Sequence, residues 1–269
     1  MSLIAITRAV SPSINDCELS FHPRQPIDVA AAIAQHQSYQ RCLTELGVRI
    51  ISLPAEPALS DAVFVEDAAV VVDEVAVIPI MGAPSRRLEV ESIARALKPY
   101  RPLKFFVQPG TLDGGDVLRI GRCVFVGLSR RTNNDGLVQL RHFLRPQGYD
   151  VQPIAVERCL HLKSACSDIG DGTLLINRSW IDARKLSKFN FIDVPEEEPG
   201  AANALRIEDT VIISACFPKT RARLEQKGFR VRPIDLSELQ KAEAGVTCTS
   251  LIFNDASIGQ DSLERPAMF

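Results

Sequence analysis

The sequence predicts an α/β fold made of repeated strand–strand–helix–strand modules, and two recurring patterns indicate it. In the first pattern, an amphipathic helix ends at a glycine and a short strand follows. Such a glycine suits the left-handed end of a helix, because it has no Cβ to clash there. In the second pattern, turn residues divide a β-branched run that follows an acidic pair or a Gly-Asp pair, which is typical of a hairpin.

The helix–glycine–strand pattern occurs three times. The helices are expected over residues 39–46, 137–147 and 220–227. They end at Gly47, Gly148 and Gly228, and the strands that follow cover 48–51, 149–154 and 229–234. Three copies of one plan favour stacked modules over unrelated segments.

The strand and hairpin pattern runs through the whole chain. The first strand is expected over residues 1–8, and hairpins over 68–78 and 117–126 with turns at 73–74 and 121–122. Further strands are expected over 173–176 and 210–213. The preceding pairs are Glu66 with Asp67, Gly115 with Asp116, Asp171 with Gly172, and Glu208 with Asp209.

Modules of this kind cannot bury both faces alone, so we expect them to stack around a common axis. In a closed ring the starts of equivalent strands converge on the axis, which would bring the acidic pairs face to face. Because clustered carboxylates repel one another, such a site favours a cationic substrate. The alternative is that each pair only caps or turns the chain before its hairpin.

Composition excludes several classes of protein. The 269 residues are 46% hydrophobic and 24% charged with a net charge of -2, which excludes intrinsic disorder and a global positive field for nucleic acid. The chain has no apolar run of roughly 18 residues, the length of a membrane helix, and its apolar N-terminal segment is too short for a signal peptide. We therefore expect a single domain over residues 1–269 with no nucleic-acid or membrane partner.

The seven cysteines predict a reducing, cytoplasmic location. Their number is odd, and they have neither C-x-x-C spacing nor the Cys/His spacing of a zinc site, so we expect free thiols and no metal. They are Cys17, Cys42, Cys123, Cys159, Cys166, Cys216 and Cys248. Most are expected to be small buried hydrophobes, and only sequence context can single out a nucleophile.

Three short segments carry residues suited to catalysis, although none is specific alone. Asp113 to Asp116 has two glycines between carboxylates but lacks the glycine spacing of a phosphate loop. His161 lies in a segment that we interpret as a strand, where a histidine is commonly structural. Cys248 lies between two threonines in a loop that enters a strand, which is a suitable place for an accessible thiol.

Together with further stretches, these segments resemble the dimethylarginine dimethylaminohydrolases, which belong to the guanidino-group-modifying superfamily. The matching stretches are residues 63–67, 82–87, 111–118, 125–133, 160–164 and 247–248. The resemblance implies the pentein fold, an α/β-propeller of five ββαβ-type modules around a pseudo-fivefold axis. It also implies that residues 1–269 form one catalytic domain.

The resemblance also implies a role for each matching residue. Cys248 would be the nucleophile, His161 the proton-transfer residue, and Asp113 a carboxylate that orients His161 or contacts the guanidinium. The residues implied to bind substrate are Asp61 and Glu66 at the guanidino group, the adjacent Asp67, Arg86 and Arg131 at the amino-acid end, Leu19 in the entrance loop, and Ala242, where vertebrate relatives have a larger apolar residue.

The implied chemistry needs these residue types. A guanidinium carbon is a poor electrophile, so a thiolate must attack it while carboxylates hold the group planar. The resulting thiouronium adduct is hydrolysed to citrulline, His161 having protonated the departing amine. A methylated arginine or related guanidino compound is therefore the expected small-molecule substrate, with no cofactor. Either His161 or the positive substrate could favour the thiolate.

Alternatives remain at this stage. A related amidinotransferase or deiminase would use the same site on another guanidino substrate, although deiminases are usually longer. A degenerate relative would bind arginine derivatives without turnover, and the presence of Cys248, His161 and Asp113 together argues against it. The sequence leaves open whether the protein is a monomer or a homodimer.

Overall fold

The computed structural model describes residues 3–255, and across them five three-stranded sheets follow one plan. Two antiparallel strands are followed by a helical connection and a third strand, which runs parallel to the second. The strands are β1 (Leu3–Arg8), β2 (Arg49–Leu53), β3 (Val70–Val71), β4 (Ala76–Ile78), β5 (Leu103–Phe105), β6 (Val117–Ile120), β7 (Cys123–Leu128), β8 (Asp150–Ala155), β9 (Cys166–Gly170), β10 (Thr173–Ile176), β11 (Asn190–Asp193), β12 (Leu205–Ile207), β13 (Thr210–Ser214), β14 (Arg230–Ile234) and β15 (Leu251–Asn254).

The helices connect the second strand of most sheets to the third. Those that do so are α1 (Val29–Glu45), α2 (Glu89–Leu97), α3 (Asn134–Leu144) and α5 (Pro218–Gln226), whereas α4 (Leu162–Ala165) precedes β9 and α6 (Ser237–Gln240) precedes β15. Short 3-10 helices are Ile14–Asp16, Val65–Ala68, Pro84–Arg86, Gly114–Asp116, Arg145–Gln147, Ala183–Leu186 and Pro199–Ala202. In the sheet β9–β10–β11 the connection is the 3-10 helix Ala183–Leu186 rather than an α-helix.

The two ends of the described chain meet in one sheet. β15 pairs antiparallel with β1, with Leu3 opposite Asn254, and β1 pairs in parallel with β2. This sheet completes the five, because β15 takes the place that β3, β6, β9 and β12 take in the others. The first strand expected over residues 1–8 is therefore confirmed over 3–8, and residues 1–2 lie outside the described residues.

Five apolar clusters show that the sheets form a closed ring. We number the modules by their sheets: β15–β1–β2 is the first, β3–β4–β5 the second, β6–β7–β8 the third, β9–β10–β11 the fourth and β12–β13–β14 the fifth. Each cluster packs the residues of one module against those of the next: first with second, second with third, third with fourth, fourth with fifth, and fifth with first. Because every module buries its flanks against two neighbours, the core is distributed around the axis. The α/β-propeller predicted from the sequence is confirmed.

Local predictions hold where the pattern is complete. Gly47, Gly148 and Gly228 have φ values of 83°, 80° and 87°, so each ends its helix in the left-handed region as predicted. The hairpin expected over 117–126 forms as β6 and β7. The hairpin expected over 68–78 forms as the shorter β3 and β4.

The strands expected over 173–176 and 210–213 form as β10 and β13, but the expectation that the pairs before them converge on the axis is wrong for both pairs. Glu208 and Asp209 form the turn between β12 and β13, and Asp171 and Gly172 form the turn between β9 and β10, so neither pair precedes the first strand of its module. Asp171 and Glu208 adopt φ values of 52° and 50°, as the tight turns require. A pair inside a hairpin and a pair before one look alike when the earlier strand is not recognised in the sequence.

A third prediction fails at His161. Residues 159–161 form a bend and residues 162–164 belong to α4, so the segment is not a strand, and His161 is the residue just before that helix. Alternation of Leu160, His161, Leu162 and Lys163 imitates a strand over too few residues to separate the two periods.

Candidate active site

The segment before the first strand of each module is a single turn, and hydrogen bonds join the five turns in a circle. Side chains and backbone atoms of neighbouring turns take part, so the circle holds one end of the ring axis together. The five bonds run from Glu66 N to Cys248 O (3.1 Å), Gly115 N to Asp67 Oδ1 (3.0 Å), Leu162 N to Asp116 Oδ1 (2.9 Å), Asn203 Nδ2 to Lys163 O (3.0 Å) and Thr247 N to Asn203 Oδ1 (3.1 Å).

A narrow cavity opens at this end of the axis. Seven residues that the resemblance implies for the site line it, together with Glu18, Phe64, Leu160, Ser164, Glu243 and Ala244. The seven are Asp61, Asp67, Arg86, Arg131, His161, Ala242 and Cys248. The ring therefore brings together side chains that are up to 187 residues apart in the sequence.

His161 is buried between two carboxylates. Its Nε2 lies 3.1 Å from Asp113 Oδ2, and its Nδ1 lies 3.7 Å from Asp67 Oδ1. Burial disfavours the imidazolium, but the charges of Asp67, Asp113 and Asp116 and the hydrogen bond to Asp113 outweigh it and raise the pKa of His161 to about 9. His161 is therefore an imidazolium at neutral pH and can donate a proton.

Cys248 lies in the turn before β15, as expected for a loop that enters a strand. Its Sγ accepts a hydrogen bond from Gly245 N at 3.3 Å. Burial, followed by the negative charges of Glu66 and Asp67, raises the pKa of the thiol to about 12. Without substrate, Cys248 is therefore a neutral thiol at physiological pH.

The two arginines differ in what they already bind. Arg86 Nη1 pairs with Asp67 Oδ2 at 2.8 Å, and Arg86 Nε and Nη2 pair with both oxygens of Glu89. Burial raises the pKa of Glu89 to about 7 against the opposing charge of Arg86. Sequence reasoning missed Glu89, which lies three residues after Arg86 on the helix α2.

Arg131 has a donor without a partner. Its Nη2 donates to Ser20 Oγ at 3.3 Å, and its Nη1 lies 3.7 Å from Asp113 Oδ2. Nη1 is buried and makes no hydrogen bond to any residue in 3–255. A buried cationic donor in this state is costly unless a ligand completes it, so this position suits a carboxylate.

Glu66 faces away from the cavity. Its carboxylate accepts hydrogen bonds from Lys163 Nζ and Thr247 Oγ1, both at 2.6 Å, and it lines a separate axial channel of about 510 Å³. Asn203 Nδ2 in turn donates to Thr247 Oγ1 at 3.0 Å. Lys163 and Thr247 lie in stretches that carried the family resemblance but had no role assigned, and no sequence signal marked Asn203.

The entrance loop covers one side of the cavity. Asp61 accepts a hydrogen bond from Glu18 N at 3.0 Å, and burial raises the pKa of Asp61. Leu19 follows on this loop and packs against the apolar cluster between the first and fifth modules. Ala242 is buried at the cavity wall, where its small side chain leaves more room than a larger apolar residue would.

One group of potential metal ligands occurs among the described residues. Ligand atoms of Asp67, Asp113 and His161 lie within 4.8 Å of one another. Arg86 and Arg131 both approach these carboxylates, and a His161 pKa of about 9 keeps its ring protonated. The set is thus already compensated by cations, which suits proton transfer better than ligation of a metal.

Comparison with known proteins identifies the family. A family model described as N,N dimethylarginine dimethylhydrolase, eukaryotic, matches residues 6–250. An N(G),N(G)-dimethylarginine dimethylaminohydrolase of Pseudomonas aeruginosa is 35% identical over 250 residues, which cover 92% of this chain and 98% of the relative. The chain belongs to the dimethylarginine dimethylaminohydrolase family. A relative with the same name from Streptomyces coelicolor is 36% identical, with 92% of this chain and 95% of the relative covered.

Solved structures of dimethylarginine dimethylaminohydrolases superimpose on this chain. A cysteine-to-serine mutant of the Pseudomonas aeruginosa enzyme complexed with citrulline gives a TM-score of 0.89 at 33% identity, covering 94% of this chain and 100% of the other. A histidine-to-glycine variant that forms an adduct with S-methyl-L-thiocitrulline gives 0.90 at 34% identity with the same coverage. The pentein fold and the family inferred from the sequence are both confirmed.

Proposed function

We propose that the chain hydrolyses Nω-methylated arginine to citrulline and an alkylamine through a covalent thiouronium adduct on Cys248. The observation that carries the proposal is one cavity lined by Cys248, by His161, which is paired with the buried Asp113, and by Arg131 with its unsatisfied donor. Family membership supports it, as do a relative that binds citrulline and another that forms a thiocitrulline adduct. These similarities favour hydrolysis over the amidinotransferase or deiminase alternatives.

The substrate's own charge activates the nucleophile in this proposal. Because burial, followed by the negative charges of Glu66 and Asp67, raises the pKa of Cys248 to about 12, the free thiol does not ionise unaided. A guanidinium placed against those carboxylates offsets their charge, which lowers the thiol pKa and lets its proton leave to solvent. His161 cannot take that proton, because it is already an imidazolium. Of the two possibilities that the sequence left open for thiol activation, we therefore propose the one in which the substrate favours the thiolate.

Proton transfer then follows from the state of His161. The thiolate attacks the guanidino carbon, and His161 gives its proton to the substituted nitrogen, which leaves as dimethylamine or methylamine. The neutral imidazole next accepts a proton from water as that water attacks the thiouronium carbon. Collapse of the second adduct breaks the carbon–sulfur bond and releases citrulline. Asp113, 3.1 Å from Nε2, orients the ring through both steps.

The remaining residues divide between the two ends of the substrate. Asp61 and Asp67, with Glu66 behind them, hold the guanidinium by charge. Arg131 Nη1 donates a hydrogen bond to the α-carboxylate of the substrate. Arg86, which is paired with Asp67 and Glu89, adds positive charge beside that carboxylate. Leu19 covers the substrate from the entrance loop, and Ala242 leaves space at the wall.

A substrate panel tests the proposal. Purified protein is incubated with asymmetric dimethylarginine, monomethylarginine and arginine, and the ureido product and released amine are measured. Formation of citrulline with dimethylamine from the first substrate is expected, with Cys248→Ser inactive. Equal turnover by Cys248→Ser would overturn the proposal, and so would a new guanidino product formed with glycine or ornithine as acceptor.

The setting of the enzyme follows from its thiols. All seven cysteines are free, and no helix in residues 3–255 is long and apolar enough to cross a membrane. We infer a reducing compartment, the cytoplasm, and a single catalytic domain over residues 1–269, of which 1–2 and 256–269 lie outside the described residues. Sedimentation of the purified protein would distinguish the monomer from the homodimer.

A further inference from the structure

Asp116 lies behind the site and does not line the cavity. It is completely buried, and its carboxylate accepts three hydrogen bonds. Ser129 Oγ and Thr132 Oγ1 donate to Oδ2 at 2.6 and 2.7 Å, and Leu162 N donates to Oδ1 at 2.9 Å. The three donors come from the loop after β7 and from the start of α4, so one side chain joins separate segments of the third and fourth modules.

Each of those donors also holds a residue that we place in the site. Thr132 Oγ1 accepts from Asp113 N at 3.2 Å, which orients the carboxylate paired with His161. Ser129 Oγ accepts from Arg131 N at 3.0 Å. Leu162 directly follows His161, so the bond from Leu162 N fixes the backbone from which the imidazole projects.

We propose that Asp116 is a positioning residue, which holds Asp113, His161 and Arg131 in their relative positions through these three hydrogen bonds. The inference rests on the proposed function, because it assigns Asp116 to the same reaction. Removal of Asp116 would leave two hydroxyls and a backbone N–H to find other partners, and all three site residues would shift together.

The residues packed around Asp116 leave space for its carboxylate. A Cβ at Gly127 would lie 2.6 Å from Asp116 Oδ1, so only glycine leaves the room that the side chain occupies. Burial raises the pKa of Asp116 to about 6, and the hydrogen bonds from Ser129, Thr132 and Leu162 limit this rise. Because the pKa stays below 7, the carboxylate is mainly ionised at neutral pH. Its charge is one of those that hold His161 protonated.

The two hydroxyl donors, Thr132 and Ser129, can be removed one at a time. Thr132→Val removes the bond to Asp113 and is expected to lower kcat, with Thr132→Ser restoring most of it. Ser129→Ala removes the bond to Arg131 N and is expected to raise KM more than it lowers kcat. If these hydroxyls acted only on stability, the two variants would show no such separation. The amount of folded enzyme would fall, but kcat per folded molecule and KM would not change.

Glu198 provides a matched control. Its carboxylate is also buried and also accepts three hydrogen bonds, from Lys219 N at 2.8 Å and from Thr220 N and Oγ1, both at 2.7 Å. These donors begin helix α5 and hold no residue of the site. Glu198→Gln is therefore expected to lower stability while kcat, KM and the His161 pKa stay at wild-type values.

The deciding experiment compares Asp116→Asn with Glu198→Gln in the full chain. For Asp116→Asn we expect kcat/KM to fall roughly ten- to a hundredfold, the scale on which small misplacements act, and the His161 pKa measured by NMR to fall as well. Wild-type kinetics and an unchanged His161 pKa in Asp116→Asn would overturn the inference. If Asp116→Asn does not fold, identical kinetics in Thr132→Val, Ser129→Ala and wild type would overturn it.

The two proposals can fail separately. A wild-type chain that produces no citrulline from methylated arginine contradicts the proposed function. The His161 pKa needs no turnover, so its response to Asp116→Asn still tests whether Asp116 positions and charges the site.

Discussion

The two ends of the ring carry the same acidic residue types in opposite circumstances. Where the chain enters the first strand of a module, Asp67 is buried, and His161 and Arg86 overcome the effect of its burial to lower its pKa to about 2. At the other end, in the hairpin turns, Asp171 and Asp209 are exposed and meet arginines only at 3.6 Å. Position relative to the strand, rather than residue type, decides whether an acid belongs to the site or to the surface.

The largest expected effect is at the nucleophile. Cys248→Ser replaces the thiol with a hydroxyl that ionises far less readily, and we expect kcat for citrulline formation to fall by at least about a thousandfold. Cys216→Ser, in the exposed turn after β13, is the matched control and should keep wild-type kcat. Equal losses in both variants would mean that the thiols act through stability alone.

The next effect is at the proton donor. His161→Ala removes the imidazolium, so amine departure loses its acid, and kcat should fall by about 10²–10⁴-fold. Single-turnover release of dimethylamine, compared with release of the leaving group from a substrate analogue with a better leaving group, checks the cause, because it isolates the first step from the later attack of water. The analogue should lose much less rate, and an equal loss on both substrates would contradict a role in leaving-group protonation.

The pH dependence of stability and of amine release is a further effect expected at the end of the ring that carries His161. The pKa of His161 is raised from its ordinary value of 6.5 to about 9 in the folded chain. The stabilisation of the fold by protonated His161 is therefore fully present below pH 6.5. That contribution, on the order of 3 kcal/mol, is lost as pH rises through 9, and amine release should slow over the same range. Denaturant titrations from pH 6.5 to 9.5 measure it, and His161→Ala should flatten the curve.

The smallest effect is at the opposite end of the ring. Glu208 adopts a φ of 50° in its hairpin turn, a conformation that glycine accepts without a Cβ penalty. Glu208→Gly should therefore raise the free energy of unfolding by at most about 1 kcal/mol and leave kcat and KM unchanged. A change in KM beyond error would show that this turn communicates with the site.

Local chemistry accounts for the parts of the fold that the sequence predicts. The left-handed glycines after the helices and the hairpin of β6 and β7 depend on neighbouring residues only, so they are predictable. The pairing of β15 with β1 joins distant segments of the chain and has no local signal. The repeated modules predicted stacking around a common axis, and the family resemblance added the number of modules. The turns at 171–172 and 208–209 were misplaced because the strands before them, β9 and β12, were not recognised in the sequence.

Contacts between distant residues explain what the sequence left out of the site. The resemblance implies catalytic roles for Cys248, His161 and Asp113, whose spacing in the chain says nothing about the 3.1 Å hydrogen bond between His161 and Asp113. Asp116 stood in a motif but had no role, because its function depends on Thr132 and Leu162. Asn203 had no signal at all, since it acts only by bridging two turns that the ring brings together.

The most direct test of the account is an intact-mass measurement on protein quenched during turnover of asymmetric dimethylarginine. The account predicts an adduct equal to the mass of the substrate less that of dimethylamine, located at Cys248 by peptide mapping and absent from Cys248→Ser. Citrulline formed with no such adduct in wild type, or with the adduct on another cysteine, would contradict it.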